Sequence, residues 1–367
     1  MSVPFLDTRR DIALYRDEYL ACAARVLDSG IFSLGPEVEA FENAFAAYIG
    51  TEYAVAVSSG TAALYASYLA LGIGPGDEVM VPANSFIATA EAVVMAGAKP
   101  VFADVDAQTG LLTLETIQAA YTASIKAITV VHLYGRCLDL REIDAWAKQK
   151  GIPIIEDVAQ AHGAVSVTGS HAGAVGSMGC FSFYPTKNLG AIGEGGIVVT
   201  SSKEQAKILK SIRLHGMGDQ KYIHERFGTN LKMEALQGAF LSARLARLDA
   251  GNERRRTLAA RYRDGLRNLP LTLPENVGEQ HVYHLFVVHT DKRDMLQAWC
   301  HSKGIGVAVH YPIPLPKQGS MQVYVGAQAT YPVAEHLAST ALSLPLFPEL
   351  RDEEVDEVIA SVRSFFL

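Results

Sequence analysis

Between residues 54 and 200 the sequence alternates short apolar runs with amphipathic stretches, and that alternation leaves few folds open. Residues 54–57, 78–81, 100–102, 127–131 and 152–155 read as strands, each bounded by Gly, Pro or charge. Between them, 61–71, 89–95, 114–120 and 138–148 carry helical periodicity. Asp77, Asp104 and Asp106 punctuate the turns. Strands alternating with helices at this spacing predict an α/β fold, a mostly parallel sheet with helices on both faces.

The chain is 367 residues long. A single hydrophobic core rarely grows beyond about 250–300 residues, so two domains are expected. Residues 234–265 read as one or two long helices, with Leu236, Phe240, Leu241, Leu245 and Leu248 at helical spacing. Gly251-Asn252 interrupts that pattern, which places the joint between a large domain, 1–250, and a small C-terminal domain, 251–367. The small domain should hold strands at 282–289 and 305–310 and helices near 294–303 and 352–366. Arg254-Arg255-Arg256 reads as a solvated helix face.

Composition excludes several classes. Hydrophobic residues make up 49% and charged residues 19%, which is globular and not disordered. The net charge of −7 disfavours nucleic acid, whose phosphates need clustered cations. The four cysteines stand far apart with no CxxC, so neither a disulfide framework nor a metal site is expected, and the cytoplasm is the expected compartment. No apolar leader stands at the N-terminus. Residues 158–186 contain no Asp, Glu, Lys or Arg, yet their hydroxyls, histidines and glycines argue against a membrane span. No GxGxxG, P-loop, HExxH or GxSxG motif is present.

Three short stretches could carry chemistry. Ser59-Gly60-Thr61-Ala62-Ala63-Leu64 follows a strand and opens a helix, where free backbone amides and the helix dipole attract an anion. Asp157, in Ile155-Glu156-Asp157, ends an apolar strand at the edge where α/β sheets bind ligands. Lys187 lies between the uncharged run and a glycine-rich turn, and a lysine in apolar surroundings loses its proton more readily. A phosphate cradle, a strand-end carboxylate and a reactive amine together match pyridoxal 5′-phosphate. The lysine would bond its aldehyde carbon, and the carboxylate would keep its ring nitrogen protonated.

Further motifs carry a resemblance. They are Leu34-Gly35-Pro36-Glu37-Val38-Glu39, Ser59-Gly60-Thr61-Ala62-Ala63-Leu64 and Pro82-Ala83-Asn84-Ser85-Phe86-Ile87-Ala88-Thr89. Glu156-Asp157-Val158-Ala159-Gln160, Phe183-Tyr184-Pro185-Thr186-Lys187-Asn188-Leu189-Gly190, Asn230-Leu231-Lys232-Met233 and His310-Tyr311-Pro312 follow in order. With these the sequence resembles, over nearly its whole length, the DegT/DnrJ/EryC1/StrS family of sugar aminotransferases. The resemblance implies the aspartate-aminotransferase fold, fold type I of pyridoxal-phosphate enzymes, with a mixed, mostly parallel sheet and a smaller α+β domain.

The resemblance also implies roles. Lys187 would be the Schiff-base lysine and the acid/base that moves the proton. Asp157 would pair with the ring nitrogen, Gln160 approach the ring hydroxyl and Phe86 stack on the ring. Gly60, Thr61, Ala62 and Ser182 would hold the phosphate, joined by Asn230 from a second subunit, so a homodimer with shared active sites is expected. Tyr184, His310 and Tyr311 would meet substrate. The implied reaction moves an amino group from L-glutamate to a nucleotide-linked keto-sugar, a dTDP-3-keto-6-deoxyhexose by the run around Tyr184. Pro314-Leu315-Pro316-Lys317-Gln318 departs from that branch, which often has a histidine there. A keto-inositol aminotransferase is the nearest alternative. A sugar dehydratase of the same fold would replace the lysine with histidine, and a cofactor-binding regulator would add a DNA-binding module.

Overall fold

The computed structural model describes residues 2–326 and 329–367. In chain order the strands are β1 (Tyr53–Val57), β2 (Glu78–Pro82), β3 (Lys99–Ala103), β4 (Ile125–Val131), β5 (Ile154–Asp157), β6 (Met178–Ser182), β7 (Gly196–Thr200), β8 (Phe286–His289) and β9 (Ala341–Leu344). The helices are α1 (Thr8–Ser29), α2 (Pro36–Ile49), α3 (Gly60–Ala70), α4 (Ala88–Met95), α5 (Leu114–Ala120), α6 (Arg141–Lys150), α7 (Lys203–Ile212), α8 (Ala235–Leu245), α9 (Leu248–Leu266), α10 (Arg293–Ser302), α11 (Pro332–Thr340) and α12 (Asp352–Phe366).

A seven-stranded sheet runs in the order β1-β7-β6-β5-β4-β2-β3. The pairs β2–β3, β2–β4, β4–β5 and β5–β6 are parallel, and only β7 runs against its neighbours β1 and β6. This is the mostly parallel mixed sheet that the alternation predicts. All five predicted strands are present within a residue or two of their expected ends. Strands β6 and β7 are additional. They are as buried as β1 and β2, and β6 lies within the uncharged run, where no charged residue marks its ends.

Helix α3 has no polar face to betray its orientation. Residues Ala62 through Tyr68 are all buried against the sheet and neighbouring helices. Its start is set locally: Ser59 is extended, and its hydroxyl accepts the Ala62 N–H at 3.1 Å. Helices α2 and α8 cover the opposite side, where Phe41, Phe45, Phe181 and Phe183 pack edge to face.

A second core gathers α9, α10 and α12 around the antiparallel pair β8–β9, with Tyr262, Phe286, Phe347 and Val358 fully buried. Val3 joins this core through a bridge to Ile305. Residues 305–310 are not a strand; they form isolated bridges, Ile305 to Val3 and Ala308 to Ser343 of β9. The predicted strand at 282–289 begins only at Phe286, because Tyr283 takes a left-handed conformation, φ 43°.

Gly251-Asn252 does not interrupt a helix. Helix α9 runs unbroken through it, and the break falls at Ala246–Arg247. A glycine inside a helix costs about 1 kcal/mol, which the buried hydrogen bonds of Asn252 offset here. Nor is Arg254-Arg255-Arg256 a solvated face. Arg255 is 4% exposed and its guanidinium donates to the carbonyls of Tyr283, His284 and Leu346. A positive charge can sit there because those backbone oxygens replace water. Among the described residues, no helix is long and apolar enough to cross a membrane.

Candidate active site

At the carboxyl ends of β4, β5 and β6 lies a cavity of about 440 Å³. It is lined by the first turn of α3, the segment before α4, the end of β5, the loop after β6, and His310-Tyr311. This is the edge at which parallel sheets bind ligands, because helix N-termini and strand ends converge there. A larger cavity, about 730 Å³, lies between α1, the α8–α9 joint and the far side of the Lys187 loop. It contains neither Asp157 nor the α3 N-terminus, so the chemistry belongs to the smaller one.

Asp157 closes β5 and is 6% exposed. Its Oδ2 accepts the Thr89 hydroxyl at 2.8 Å, and its Oδ1 accepts the Ala159 N–H at 3.1 Å. Burial pushes its carboxyl pKa up, while these two donors and Lys187 pull it down. A cation set against it would therefore be held strongly. Lys187 lines the same cavity, and burial lowers its amine pKa to about 8, the Asp157 charge opposing that shift. At neutral to mildly alkaline pH a useful share of the amine is unprotonated and nucleophilic.

The α3 N-terminus faces this pair. Gly60 and Thr61 line the cavity, and first-turn amides have no acceptor within their own helix. A Cβ at Gly60 would stand 2.5 Å from the Ser182 Cβ, so only glycine leaves room for helix start and strand end to converge. Ser182 lines the cavity as well. The Ala62 amide is differently placed: it is taken by Ser59 and does not line the cavity.

Gln160 is held from both ends. Its Oε1 accepts the Tyr134 N–H at 2.7 Å, and its Nε2 donates to the Tyr311 hydroxyl at 3.0 Å. Phe86 is 51% exposed, its ring 5.6 Å from that of Tyr311, so it presents a free aromatic face to the cavity and is not core. Tyr184 is 48% exposed and lines the opening. His310 bonds through Nδ1 to the Ser343 hydroxyl at 2.8 Å, and burial lowers its pKa to about 4. Asn230 stands apart. It is exposed, bridges to Leu214, and lines no part of its own chain's cavity.

Two residues of the site have no sequence signal of their own. Thr89 holds the Asp157 carboxylate, backed by Ser85 at 2.8 Å; both stand in the Pro82–Thr89 motif stretch, where only Phe86 draws attention. Glu156 neighbours Asp157, and side chains alternate along a strand, so it points to the other face. There it accepts the amides of Gly173, Val175 and Gly176 and bonds His132 Nε2 at 2.9 Å. The Leu138 N–H donates to His132 Nδ1, which fixes the ring proton on Nε2. Glu156 thus fastens the turn that leads into β6, and with it the position of Ser182.

An amine of lowered pKa, a buried carboxylate and an open helix N-terminus on one cavity suit a ligand with an aldehyde, a basic ring nitrogen and a phosphate. Pyridoxal 5′-phosphate has these groups, and the residues present fit it.

The model of the DegT/DnrJ/EryC1/StrS aminotransferase family matches residues 14–363. The chain is 44% identical over 363 residues to a UDP-N-acetyl-3-dehydro-α-D-glucosamine 3-aminotransferase of Acidithiobacillus ferrooxidans, covering 99% of this chain and 97% of that protein. It is 43% identical to a dTDP-3-amino-3,4,6-trideoxy-α-D-glucose transaminase of Streptomyces venezuelae, covering 99% and 96%. The crystal structure of S. venezuelae DesV in complex with a ketimine intermediate superposes with a TM-score of 0.96 at 42% identity, covering 99% of this chain and 98% of that one. This chain therefore belongs to the DegT/DnrJ/EryC1/StrS aminotransferase family and is a pyridoxal-phosphate-dependent sugar aminotransferase.

Proposed function

We propose that this protein transfers the amino group of L-glutamate to a nucleotide-linked 3-keto-sugar, with a dTDP-linked 3-keto-6-deoxyhexose as the acceptor. The observation that carries the reading is the presence of half-buried Lys187 and buried Asp157 on one cavity whose far side is the α3 N-terminus. Both relatives named above carry the 3-position in their names, one on a UDP sugar and the other on a dTDP sugar, which supports amination at that carbon.

In this reading each residue has a task. The Gly60 and Thr61 amides and the Ser182 hydroxyl bind the phosphate, aided by the α3 dipole, and Ala62 shapes that turn. Asp157, kept in place by Thr89, holds a proton on the ring nitrogen. Gln160 orients the ring hydroxyl, and Phe86 covers a ring face. When bound, the cofactor supplies an electron sink for the carbon that carries the amino group. Lys187 Nζ takes and returns the proton at the substrate carbon, a task suited to an amine whose pKa lies near 8. Tyr184, His310 and Tyr311 contact the sugar.

The active unit is a homodimer, and Asn230 of the partner subunit completes the phosphate site. Support comes from the exposed apolar side chains on the preceding loop: Tyr222 at 75%, Ile223 at 53% and Phe227 at 72%. Such a patch suits a second copy better than water. The cofactor-binding domain is 1–250 and the small domain 251–367, with α9 crossing that boundary and Val3 packed in the small domain's core. The cytoplasm is the working compartment, consistent with four buried free cysteines.

A panel of UDP- and dTDP-linked keto-sugars, with glutamate as donor and products read by mass spectrometry, tests the reading. Amination of a dTDP-3-keto-6-deoxyhexose is expected. Amination of a keto-inositol with no turnover of any nucleotide sugar would overturn it. Borohydride reduction should fix the pyridoxyl group on Lys187.

A further inference from the structure

Beside the Lys187 loop, three side chains and two backbone carbonyls form one directed chain of hydrogen bonds. Asn252 Nδ2 donates to the His162 backbone carbonyl at 2.9 Å. Asn188 Nδ2 donates to Asn252 Oδ1 at 2.9 Å and to the Val282 backbone carbonyl at 3.1 Å. Asn188 Oδ1 then meets His284 Nδ1 at 3.1 Å.

Backbone carbonyls only accept, so the two that end this chain fix which way both amides point. Asn188 Oδ1 has no hydrogen to give, and its bond to His284 therefore requires a proton on Nδ1. The Nε2 atom is left with its lone pair. Among the described residues none donates to it. His284 lines the same cavity as Lys187 and Asp157.

The surroundings keep the ring uncharged. His284 is 8% exposed, and burial holds its pKa well below the usual imidazole value. The charged groups that bear on it are Lys187 and Arg255, both cationic, with the His162 and His310 rings nearby. Arg255 also donates to the His284 backbone carbonyl.

We infer that His284 Nε2 is an obligate hydrogen-bond acceptor for a hydroxyl of the acceptor substrate, with Asn188 as the positioning residue that holds the tautomer. The inference rests on the reading of the acceptor as a hydroxylated keto-sugar. A hydroxyl can donate to this lone pair; a carbonyl, a phosphate oxygen or the C–H of a deoxy position cannot. His284 thus distinguishes a sugar bearing a hydroxyl at one ring position from its deoxy analogue. A buried acceptor left unpaired is the form of discrimination that a site can make large.

Two measurements test this. In the holoenzyme labelled with ¹⁵N-histidine, NMR should report His284 as the neutral Nδ1–H tautomer from about pH 6 to about pH 9. An Nε2–H tautomer or an imidazolium in that range overturns the proposal. In kinetics, an acceptor and its deoxy analogues are compared in wild type, His284→Gln, which keeps an acceptor, and His284→Phe or His284→Met, whichever folds by thermal unfolding. The apolar variant should raise the acceptor KM about tenfold and erase the preference for one hydroxyl, and Gln should restore part of it. A preference unchanged in the apolar variant overturns the proposal. If no sugar in the panel is aminated by the wild type, the functional reading has failed, while the NMR result still decides the tautomer.

Discussion

The Thr89 hydroxyl donates to the Asp157 carboxylate at 2.8 Å and is itself backed by Ser85. Among the described residues it is one of two hydrogen-bond donors to that buried carboxylate, the Ala159 amide being the other. Thr89→Val keeps the shape and removes the donor. A hydrogen bond to a charged group contributes about 1.5–3 kcal/mol, so the variant should hold the cofactor about tenfold or more weakly. Absorbance titration of the apoprotein with pyridoxal 5′-phosphate measures this, and an unchanged affinity would show that Thr89 leaves the carboxylate's orientation unaffected.

Gly60 meets Ser182 so closely that a methyl group has no room, with Cβ to Cβ at 2.5 Å. Gly60→Ala should lower phosphate-dependent affinity about tenfold or more, because a shift of α3 moves its amides off the phosphate. Adding Ser182→Gly should return part of the lost stability, which a double-mutant cycle by denaturant unfolding would detect.

In the apoprotein, Lys187 should react with amine reagents along a curve with its midpoint near pH 8, far below an exposed lysine. Burial favours the neutral amine, and Asp157 favours the charged one. Asp157→Asn removes the opposing charge, so the midpoint should fall further. Peptide mass spectrometry after brief labelling at several pH values reads this directly. A midpoint moving upward in the variant would contradict the assigned polarity.

Glu354 is paired with Arg10 through two bonds of 2.7 Å, which fasten α12 to the start of α1. Those bonds hold the Glu354 carboxyl pKa at about 2, against an ordinary 4.5. A depressed folded-state pKa stabilises above the unfolded value and is lost as pH falls. Glu354→Gln should therefore cost about 1–3 kcal/mol near neutrality. The difference between variant and wild type should shrink as pH falls from about 4.5 to about 2. Denaturant midpoints across that range test it.

Local chemistry carries its meaning in the amino-acid order. The strands and helices of 54–157 announce themselves because each is a short run bounded by Gly, Pro or charge, and those boundaries need no distant partner. The same holds for Ser59-Gly60-Thr61 and for Asp157 and Lys187 at the ends of the uncharged run. Those features determined the α/β class and the cofactor. Strand β6 lies within the uncharged run, where no charge marks its ends, and α9 places Asn252 and Arg255 on its buried face, so both emerge only in three dimensions.

Tertiary structure alone decided which polar groups meet. Thr89 reaches Asp157 from 68 positions away, and Asn188 reaches His284 across 96. It made Arg255 a buried clamp on three carbonyls, and it set Glu156 to fastening a turn while its neighbour Asp157 faced the cavity. A hydrogen bond depends on a few tenths of an ångström between atoms that folding brings together, and no spacing along the chain encodes that.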